Sequence, residues 1–399
     1  MTVGGKVVPT GSTTPQVINV NLQSGRSVTP AQAPARARTT TSSSATTVKF
    51  PPISAPTAAE RARGARAVAR IDQHLHGIST WMPYWNTDST LNRLTSNAKT
   101  ISEVHPFWWQ IDGASQVTNQ AGSAGNSYAA ALAARGMQVV PTVTETAGQD
   151  HMADILSNRA EQNRLISALV WIANQPHSEG IDLDFESIDQ GDGDLQAAKA
   201  VTQRFPQMFG RLCGLLHAEG KVCEVTVMPR VSDDAVKADG LSYAVYDYAA
   251  LAAHADRVQV LAYDYHYKGG PAGPVAPISW DRNVIAFATS QMPASKLVLG
   301  VPAYGYDWVS GGGEAKSITA ADAEALAHQK GMSIEWDGTN QESTFTYNSA
   351  SGSHRVWFED TQGTYNRAEL AAGSGLSGTA VWTAGDAQPA LWPLLNQVH

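Results

Sequence analysis

The chain contains 399 residues, of which 43% are hydrophobic and 16% charged, and its net charge at pH 7 is −8. That length is enough for one large domain or two ordinary ones. No apolar run approaches the ~20 residues that a membrane-spanning helix needs, so the composition excludes a membrane span.

Charge is distributed unevenly along the chain. Residues 1–70 carry nine Lys or Arg and one acid, so their net charge is +8 and that of the remainder is −16. Residues 1–56 are rich in Thr, Ser, Pro, Ala and Gly, which predicts a low-complexity linker or attachment arm. Within them, residues 17–22 alternate as a single strand would. The arm is either a soluble linker or a contact to an anionic wall polymer, membrane or nucleic acid, and both uses stay open.

Residues 57–75 are predicted to form a short helical connector. Thr57 and Glu60 have the spacing of a capping box, which predicts a helix over 58–70. The N-terminus lacks the charged start and apolar core of a signal peptide.

The remaining residues, 76–399, show short apolar runs separated by helix-like stretches. Strands that are buried on both faces and alternate with helices indicate a parallel sheet, and eight such units predict a closed (β/α)8 TIM barrel. A small α+β subdomain is predicted at 305–365, because the gap between strands seven and eight is too long for one helix. The eight strands are expected near 77–82, 101–109, 137–143, 180–186, 222–228, 257–263, 296–302 and 378–383.

Two cysteines lie near the end of a predicted helix and the start of the next strand. Cys213 and Cys223 form either a disulfide or two buried thiols, and the sequence leaves both open. Neither has a histidine at zinc spacing, and the glycine-rich loops lack a phosphate-loop setting. We therefore expect no metal and no organic cofactor.

The fourth predicted strand carries three carboxylates on one face. Asp182, Asp184 and Glu186 alternate with apolar residues, so their side chains point the same way. Such crowding raises the pKa of at least one of them, which suits an acid that keeps its proton near neutral pH. The alternatives to a catalytic acid are a metal site and a solvated edge strand. Both are disfavoured, because the opposite face of this strand is fully apolar.

Other polar residues are predicted at the same mouth of the barrel. In a (β/α)8 barrel the catalytic groups sit at the C-terminal ends of the strands. Such positions belong to Glu145, Tyr263, Asp264 and Trp382, while His266 follows the sixth strand. Tryptophan outnumbers phenylalanine, 11 to 8, which suits stacking on sugar rings as well as core packing.

These motifs resemble glycoside hydrolase family 18 over about residues 77–397. Its fourth-strand signature D-x-x-D-x-D-x-E appears at 179–186, with Glu179 in place of the first Asp. Its sixth-strand M-x-Y-D appears at 261–264, with Leu261 in place of Met. Residues 299–305 and 380–382 look like the seventh and eighth strands of the family.

Within that family the chain resembles the spore-germination and cortex-lytic type. Residues 263–275 and 356–360 carry this similarity. Residues 139–145 lack the S-x-G-G pattern of typical chitinases, which lowers the expectation of a chitinase.

The resemblance implies a retaining, substrate-assisted hydrolase that cuts β-1,4 bonds after N-acetylglucosamine, in our expectation within peptidoglycan. It makes Glu186 the general acid, with Asp184 and Tyr263 holding the acetamido group of the sugar. We further expect substrate contacts from Asp182, Asp264, Trp382, His266, Tyr304 and Glu145, of which His266 and Glu145 are chosen for their places after the sixth and at the end of the third strand.

The alternatives are a hydrolase of chitin or N-glycan cores, a non-catalytic sugar-binding protein, and an assembly component docked through the basic arm. Because Glu186 is present, the non-catalytic alternative is disfavoured. We expect an N-acetylglucosamine polysaccharide as partner, no nucleic acid, and an extracellular or cell-wall location.

Overall fold

The computed structural model describes residues 50, 52–72, 77–189, 195–233 and 245–398. The predicted strand at 17–22 and nearly all of the arm lie outside these residues. The helix predicted over 58–70 is present as Ala58–Asp72. Its first turn is a capping box, in which Thr57 N donates to Glu60 at 2.7 Å and Glu60 N donates to Thr57 Oγ1 at 3.2 Å.

The described residues form eleven α-helices, numbered here in chain order. They are α1 Ala58–Asp72, α2 Thr87–Ser96, α3 Gly125–Ala133, α4 Gly148–Ser157, α5 Arg159–Ala173, α6 Leu195–Glu219, α7 Tyr248–Ala252, α8 Ile278–Gln291, α9 Ala320–Lys330, α10 Thr361–Gly373 and α11 Leu391–Leu395.

Fifteen strands are present in the same residues. They are β1 Gly77–Pro83, β2 Ile101–Ile111, β3 Val117–Asn119, β4 Gln138–Val139, β5 Thr142–Glu145, β6 Gly180–Asp184, β7 Val222–Val227, β8 Arg257–Leu261, β9 Leu297–Pro302, β10 Tyr304–Val309, β11 Lys316–Thr319, β12 Glu335–Asp337, β13 Glu342–Ser349, β14 Gly352–Phe358 and β15 Gly378–Trp382.

Eight of these described strands close into a parallel barrel. The order around it is β1-β15-β9-β8-β7-β6-β5-β2, and β2 pairs back onto β1. Nearly every residue of the barrel strands is buried, because helices cover the outer face and polar side chains fill much of the inside. The predicted (β/α)8 barrel is therefore confirmed.

The third barrel strand differs from the prediction of one run at 137–143. It is split into β4 and β5 around Val140 and Pro141, and it continues to Glu145. Proline has no amide hydrogen for the ladder, which explains the break. The short strand β3, antiparallel to β2, was not predicted.

An antiparallel sheet with the order β11-β10-β14-β13-β12 is inserted between β9 and β15. Helix α9 packs on it through three alanines, which meet Phe345 and Phe358 among others. An α+β insertion at this place was part of the predicted fold. The chain then returns to the barrel through α10.

A buried ionic cluster joins this insertion to the barrel. Arg367 of α10 lies 3.1 Å from Asp281 of α8, 2.8 Å from Glu359 and 3.4 Å from Glu342. All four side chains are fully buried. Glu342 also accepts the backbone N–H groups of residues 275 and 276, at 2.7 Å each. The cluster thus fixes the insertion to the loop that follows the sixth barrel strand.

A disulfide links Cys213 of α6 to Cys223 of β7. This settles the alternative that the sequence left open.

Helix α1 packs across α6, where Gly64 lies so close to the carbonyl of His217 that a Cβ atom would not fit. Among the described helices, none combines the length and apolar character needed to cross a bilayer.

Candidate active site

The carboxylate face of β6 points into the barrel. Asp182 is fully buried and accepts hydrogen bonds from Thr142 at 2.7 Å and Thr226 at 2.9 Å. These threonines lie on the neighbouring strands β5 and β7. Burial, together with the negative charge of Glu224, raises the pKa of Asp182 to about 7 despite these bonds. Asp182 therefore exchanges a proton near neutral pH.

Asp184 and Glu186 stand above Asp182, toward the mouth of the barrel. Burial and the charge of Glu186 raise the pKa of Asp184 well above its usual range. Burial and the charges of Asp264 and Glu145 raise the pKa of Glu186 to about 8. Glu186 is partly exposed, whereas Asp184 is buried. The outermost carboxyl group thus carries a proton at neutral pH and is accessible to a ligand.

Asp184 also has an unused acceptor. Its Oδ1 atom is buried and has no hydrogen-bond partner among the described residues. A buried carboxylate oxygen without a donor is costly, so this atom suits an N–H group of a bound ligand.

The turn that carries Glu186 is held by neighbouring loops. The hydroxyl of Tyr246 donates to the carbonyl of Phe185 at 2.8 Å. On the other side, the hydroxyl of Ser187 donates to Glu145. The position of Glu186 is thereby fixed from two directions.

The end of the sixth barrel strand supplies Tyr263 and Asp264. Asp264 has a φ of +60°, and its carboxylate accepts the hydroxyls of Tyr304 and Tyr306, the latter at 3.0 Å. Burial raises the pKa of Asp264 to about 6, although these bonds act in the opposite direction. Burial and the charges of Glu186 and Asp184 raise the pKa of Tyr263 well above its usual range, so its hydroxyl remains a proton donor.

Aromatic rings form the floor and one wall of the mouth. The Trp382 ring lies 5.6 Å from that of Trp81, 5.1 Å from that of Phe107 and 6.3 Å from that of Trp85. Tyr84 extends the row to the surface, where it is exposed. Flat aromatic rings of this kind suit stacking on the apolar face of a ligand.

A layer of buried charge lies deeper in the barrel. Arg257 contacts Glu103 at 2.7 Å and also bonds Glu224. His105 lies 3.7 Å from Glu103, and burial lowers its pKa to about 3, so it is neutral. Glu103, His105 and Glu224 have the proximity of metal ligands. Because the Arg257 guanidinium already pairs with both carboxylates, this layer is an internal ion pair.

The structure brings Asp182, Asp184, Glu186, Tyr263 and Asp264 together around one mouth. Apart from Trp382, every predicted substrate contact makes hydrogen bonds within the protein. Tyr304 binds Asp264, and both Glu145 oxygens accept protein donors. His266, on the loop after Asp264, donates from Nδ1 to the carbonyl of Pro271 at 3.1 Å. Their sugar contacts remain predictions.

Four site residues were not found from the sequence: Thr142, Ser187, Thr226 and Tyr306. The register of the strands next to β6 could have identified the two threonines. Thr142 of β5 pairs with Asp182, and Thr226 of β7 pairs with Asp184. Tyr306 shares a face with Tyr304 by simple alternation along β10.

Comparison with known proteins supplies the family. The model of glycosyl hydrolases family 18 matches residues 80–387. The cortical fragment-lytic enzyme of Bacillus subtilis (strain 168) is 30% identical over 266 residues, which are 65% of this chain and 59% of that protein. The putative sporulation-specific glycosylase YdhD of the same organism is 26% identical, over 79% of this chain and 73% of its own. This chain thus spans about three-fifths of the first relative.

Solved structures show the same fold. A chitinase from Chromobacterium violaceum ATCC 12472 superposes with a TM-score of 0.71 at 26% identity, covering 81% of this chain and 98% of that one. The spore cortex-lytic enzyme SleL of Bacillus cereus gives 0.70 at 22% identity, covering 81% and 74%. At that identity the second likeness concerns the fold alone.

Proposed function

The chain belongs to glycosyl hydrolases family 18, and on that premise we propose that it hydrolyses β-1,4 bonds after N-acetylglucosamine in peptidoglycan. The observation that carries this proposal is Glu186, an accessible carboxyl group whose pKa is raised to about 8. It lies above the buried Asp184 and Asp182, and we call these three residues the acid stack. A carboxylic acid that is still protonated at neutral pH is what a glycosidic leaving group requires.

The first step uses the 2-acetamido group of the sugar as nucleophile. Its carbonyl oxygen attacks C1 while the C1–O bond to the leaving sugar breaks, and the proton of Glu186 passes to the leaving oxygen. The product on the enzyme side is an oxazolinium ion. The free Oδ1 of Asp184 accepts the acetamido N–H and stabilises the developing positive charge. Tyr263 donates its hydroxyl to the acetamido oxygen.

The second step reverses the roles. The Glu186 carboxylate takes a proton from a water molecule, whose oxygen attacks C1 and reopens the oxazolinium ring to the acetamide. Since C1 is inverted twice, its configuration is retained. Asp182, whose pKa is about 7, shares a proton with Asp184, so the negative charge can lie on either carboxyl group. Trp382 forms the apolar floor under the reacting sugar.

Peptidoglycan as substrate is supported by the relatives with cortex-lytic and sporulation names. Chitin is a second candidate, because the Chromobacterium violaceum chitinase is nearly as similar and this chain covers 98% of it. The two substrates share the N-acetylglucosamine that the acid stack recognises, so they differ only in what lies beyond it.

Product analysis by mass spectrometry distinguishes these candidates. Purified protein is offered peptidoglycan and chitin oligomers side by side. Wall fragments with a reducing N-acetylglucosamine end support the proposal. If chitin yields chitobiose and peptidoglycan yields no product, the protein is assigned as a chitinase instead. Binding of both sugars without any product supports a non-catalytic sugar-binding protein.

Location and docking are also part of the proposal. The Cys213–Cys223 disulfide supports an oxidising, extracellular or wall-associated setting. The N-terminal arm is basic, whereas the rest of the chain is acidic. A basic arm suits docking to an anionic wall polymer or a partner protein. Deletion of residues 1–56 tests this: reduced wall binding supports docking, and unchanged binding contradicts it.

A further inference from the structure

Glu145 and Ser187 form a bridge between two loops at the barrel mouth. The hydroxyl of Ser187 donates to one oxygen of Glu145, and the backbone N–H groups of Ala147 and Gly148 donate to the other at 2.6 and 3.3 Å. Gly148 N also donates to Ser187 Oγ at 2.9 Å. We call these four residues the carboxylate clamp.

The clamp acts on the residue that follows the general acid. Ser187 is the direct neighbour of Glu186, and it begins a short 3-10 turn, Ser187–Asp189. Gln149 continues the contact by donating to the carbonyl of Ile188 at 3.0 Å. The start of α4 is therefore fastened to the turn that orients the acid.

Glu145 cannot hold the Ser187 turn and bind a sugar with the same carboxylate oxygens. Its carboxylate is buried, with 5% of its surface exposed, and both of its oxygens accept protein donors. Its charge nevertheless faces the acid, since it is among the causes of the raised pKa of Glu186. The other groups that face Glu186 are Asp184 and Tyr263, the carboxylate of Asp264, and Tyr246.

We propose that Glu145 is a positioning residue, which holds Glu186 in its protonating geometry through Ser187 and keeps a negative charge beside it. This inference rests on the proposed function, because it assigns Glu186 as the acid. It replaces the expectation that Glu145 binds the sugar.

Two substitutions separate the two effects of the clamp. Ser187→Ala removes the bridge but keeps the charge, so kcat falls roughly 10- to 100-fold from misplacement of the acid, with KM unchanged. Ser187→Thr restores the hydroxyl and recovers the lost kcat. Glu145→Gln removes the charge, so the basic limb of the kcat profile moves to lower pH by roughly one unit. In Ser187→Ala that limb stays in place.

The assay follows hydrolysis of solubilised peptidoglycan and of chitotetraose between pH 4 and pH 10. Ser167→Ala and Glu161→Gln on α5 are the matched controls, since they make the same chemical changes away from the mouth. Wild-type kcat and pH profile in both clamp variants would overturn the proposal. So would a loss of activity explained by an equal loss of folded protein.

A second readout does not depend on turnover. With 13C-carboxyl-labelled glutamate, NMR titration reports the pKa of Glu186, whose signal is assigned by its absence in Glu186→Gln. A lower pKa in Glu145→Gln supports the clamp even if neither sugar is cleaved, in which case only the proposed function fails. An unchanged pKa overturns the clamp.

Discussion

The three carboxyl groups around Arg367 make the free energy of unfolding depend on pH. One buried guanidinium faces Asp281, Glu342 and Glu359, so full ionisation would leave two negative charges uncompensated. Burial, only partly opposed by Arg367, raises the pKa of Glu359 well above its usual range, and the charges of the other two acids add to it. We expect Glu359 to hold a proton in the folded protein.

The sign of the effect follows from proton uptake on folding. Above pH ~4.3, the usual pKa of glutamate, the unfolded chain has lost this proton while the folded protein keeps it. Stability from this group is therefore complete at low pH and declines as pH rises, by about 1.4 kcal/mol per pH unit, until the raised pKa of the folded state is passed.

Glu359→Gln removes this proton uptake while it keeps the shape of the side chain. The amide can donate to Glu342, as the protonated acid does. We therefore expect the plot of unfolding free energy against pH to be shallower than wild type by about 1.4 kcal/mol per pH unit. In the alkaline range the variant should be the more stable of the two proteins.

Urea unfolding between pH 5 and pH 9, followed by tryptophan fluorescence, measures this slope. Glu335→Gln is the control, because the same change is made on an exposed residue of the inserted sheet. The control should keep the wild-type slope. A Glu359→Gln variant with that same slope, or one destabilised equally at every pH, would show that Glu359 takes up no proton on folding.

Three further predictions concern the acid, the disulfide and the internal ion pair. The rate constant kcat/KM should decline above about pH 8, where Glu186 loses its proton; a decline centred near pH 5 would contradict the assigned acid. Replacing Cys213 and Cys223 by Ser should cost about 2–3 kcal/mol in urea unfolding, because their loop of 10 residues is then no longer closed, and an unchanged midpoint would contradict this. Arg257→Met should cost about 3–5 kcal/mol, since it leaves the buried carboxylate of Glu224 without its guanidinium partner, while burial raises the pKa of Glu103 well above its usual range; an unchanged midpoint of urea unfolding would contradict this.

The barrel was predictable because its strands are continuous apolar runs between helical stretches. The acid stack was predictable for the same local reason, since alternation alone places Asp182, Asp184 and Glu186 on one face. Local pattern also explains the error at the third strand, where the apolar run continues through Pro141 although the ladder does not.

What escaped prediction depends on pairs that are distant in the chain. Ser187 meets Glu145 across 42 residues, and Arg367 meets Asp281 across seven intervening strands and helices. Their residue types are ordinary for exposed positions, so nothing local marks them as buried. Only the pairing of strands and the packing of the insertion on the barrel make them neighbours, and the same packing brings Tyr304 to Asp264.

Glu186 is proposed to donate the proton in glycosidic cleavage, and a pair of glutamine variants measures whether it does. Glu186→Gln is set against Glu179→Gln, which makes the same change on the residue just before β6. Reducing ends released from peptidoglycan and chitotetraose are counted for both variants, with circular dichroism to verify folding. We expect turnover to fall by several orders of magnitude in Glu186→Gln and to stay at the wild-type value in Glu179→Gln. Near-normal turnover by a folded Glu186→Gln protein would contradict it.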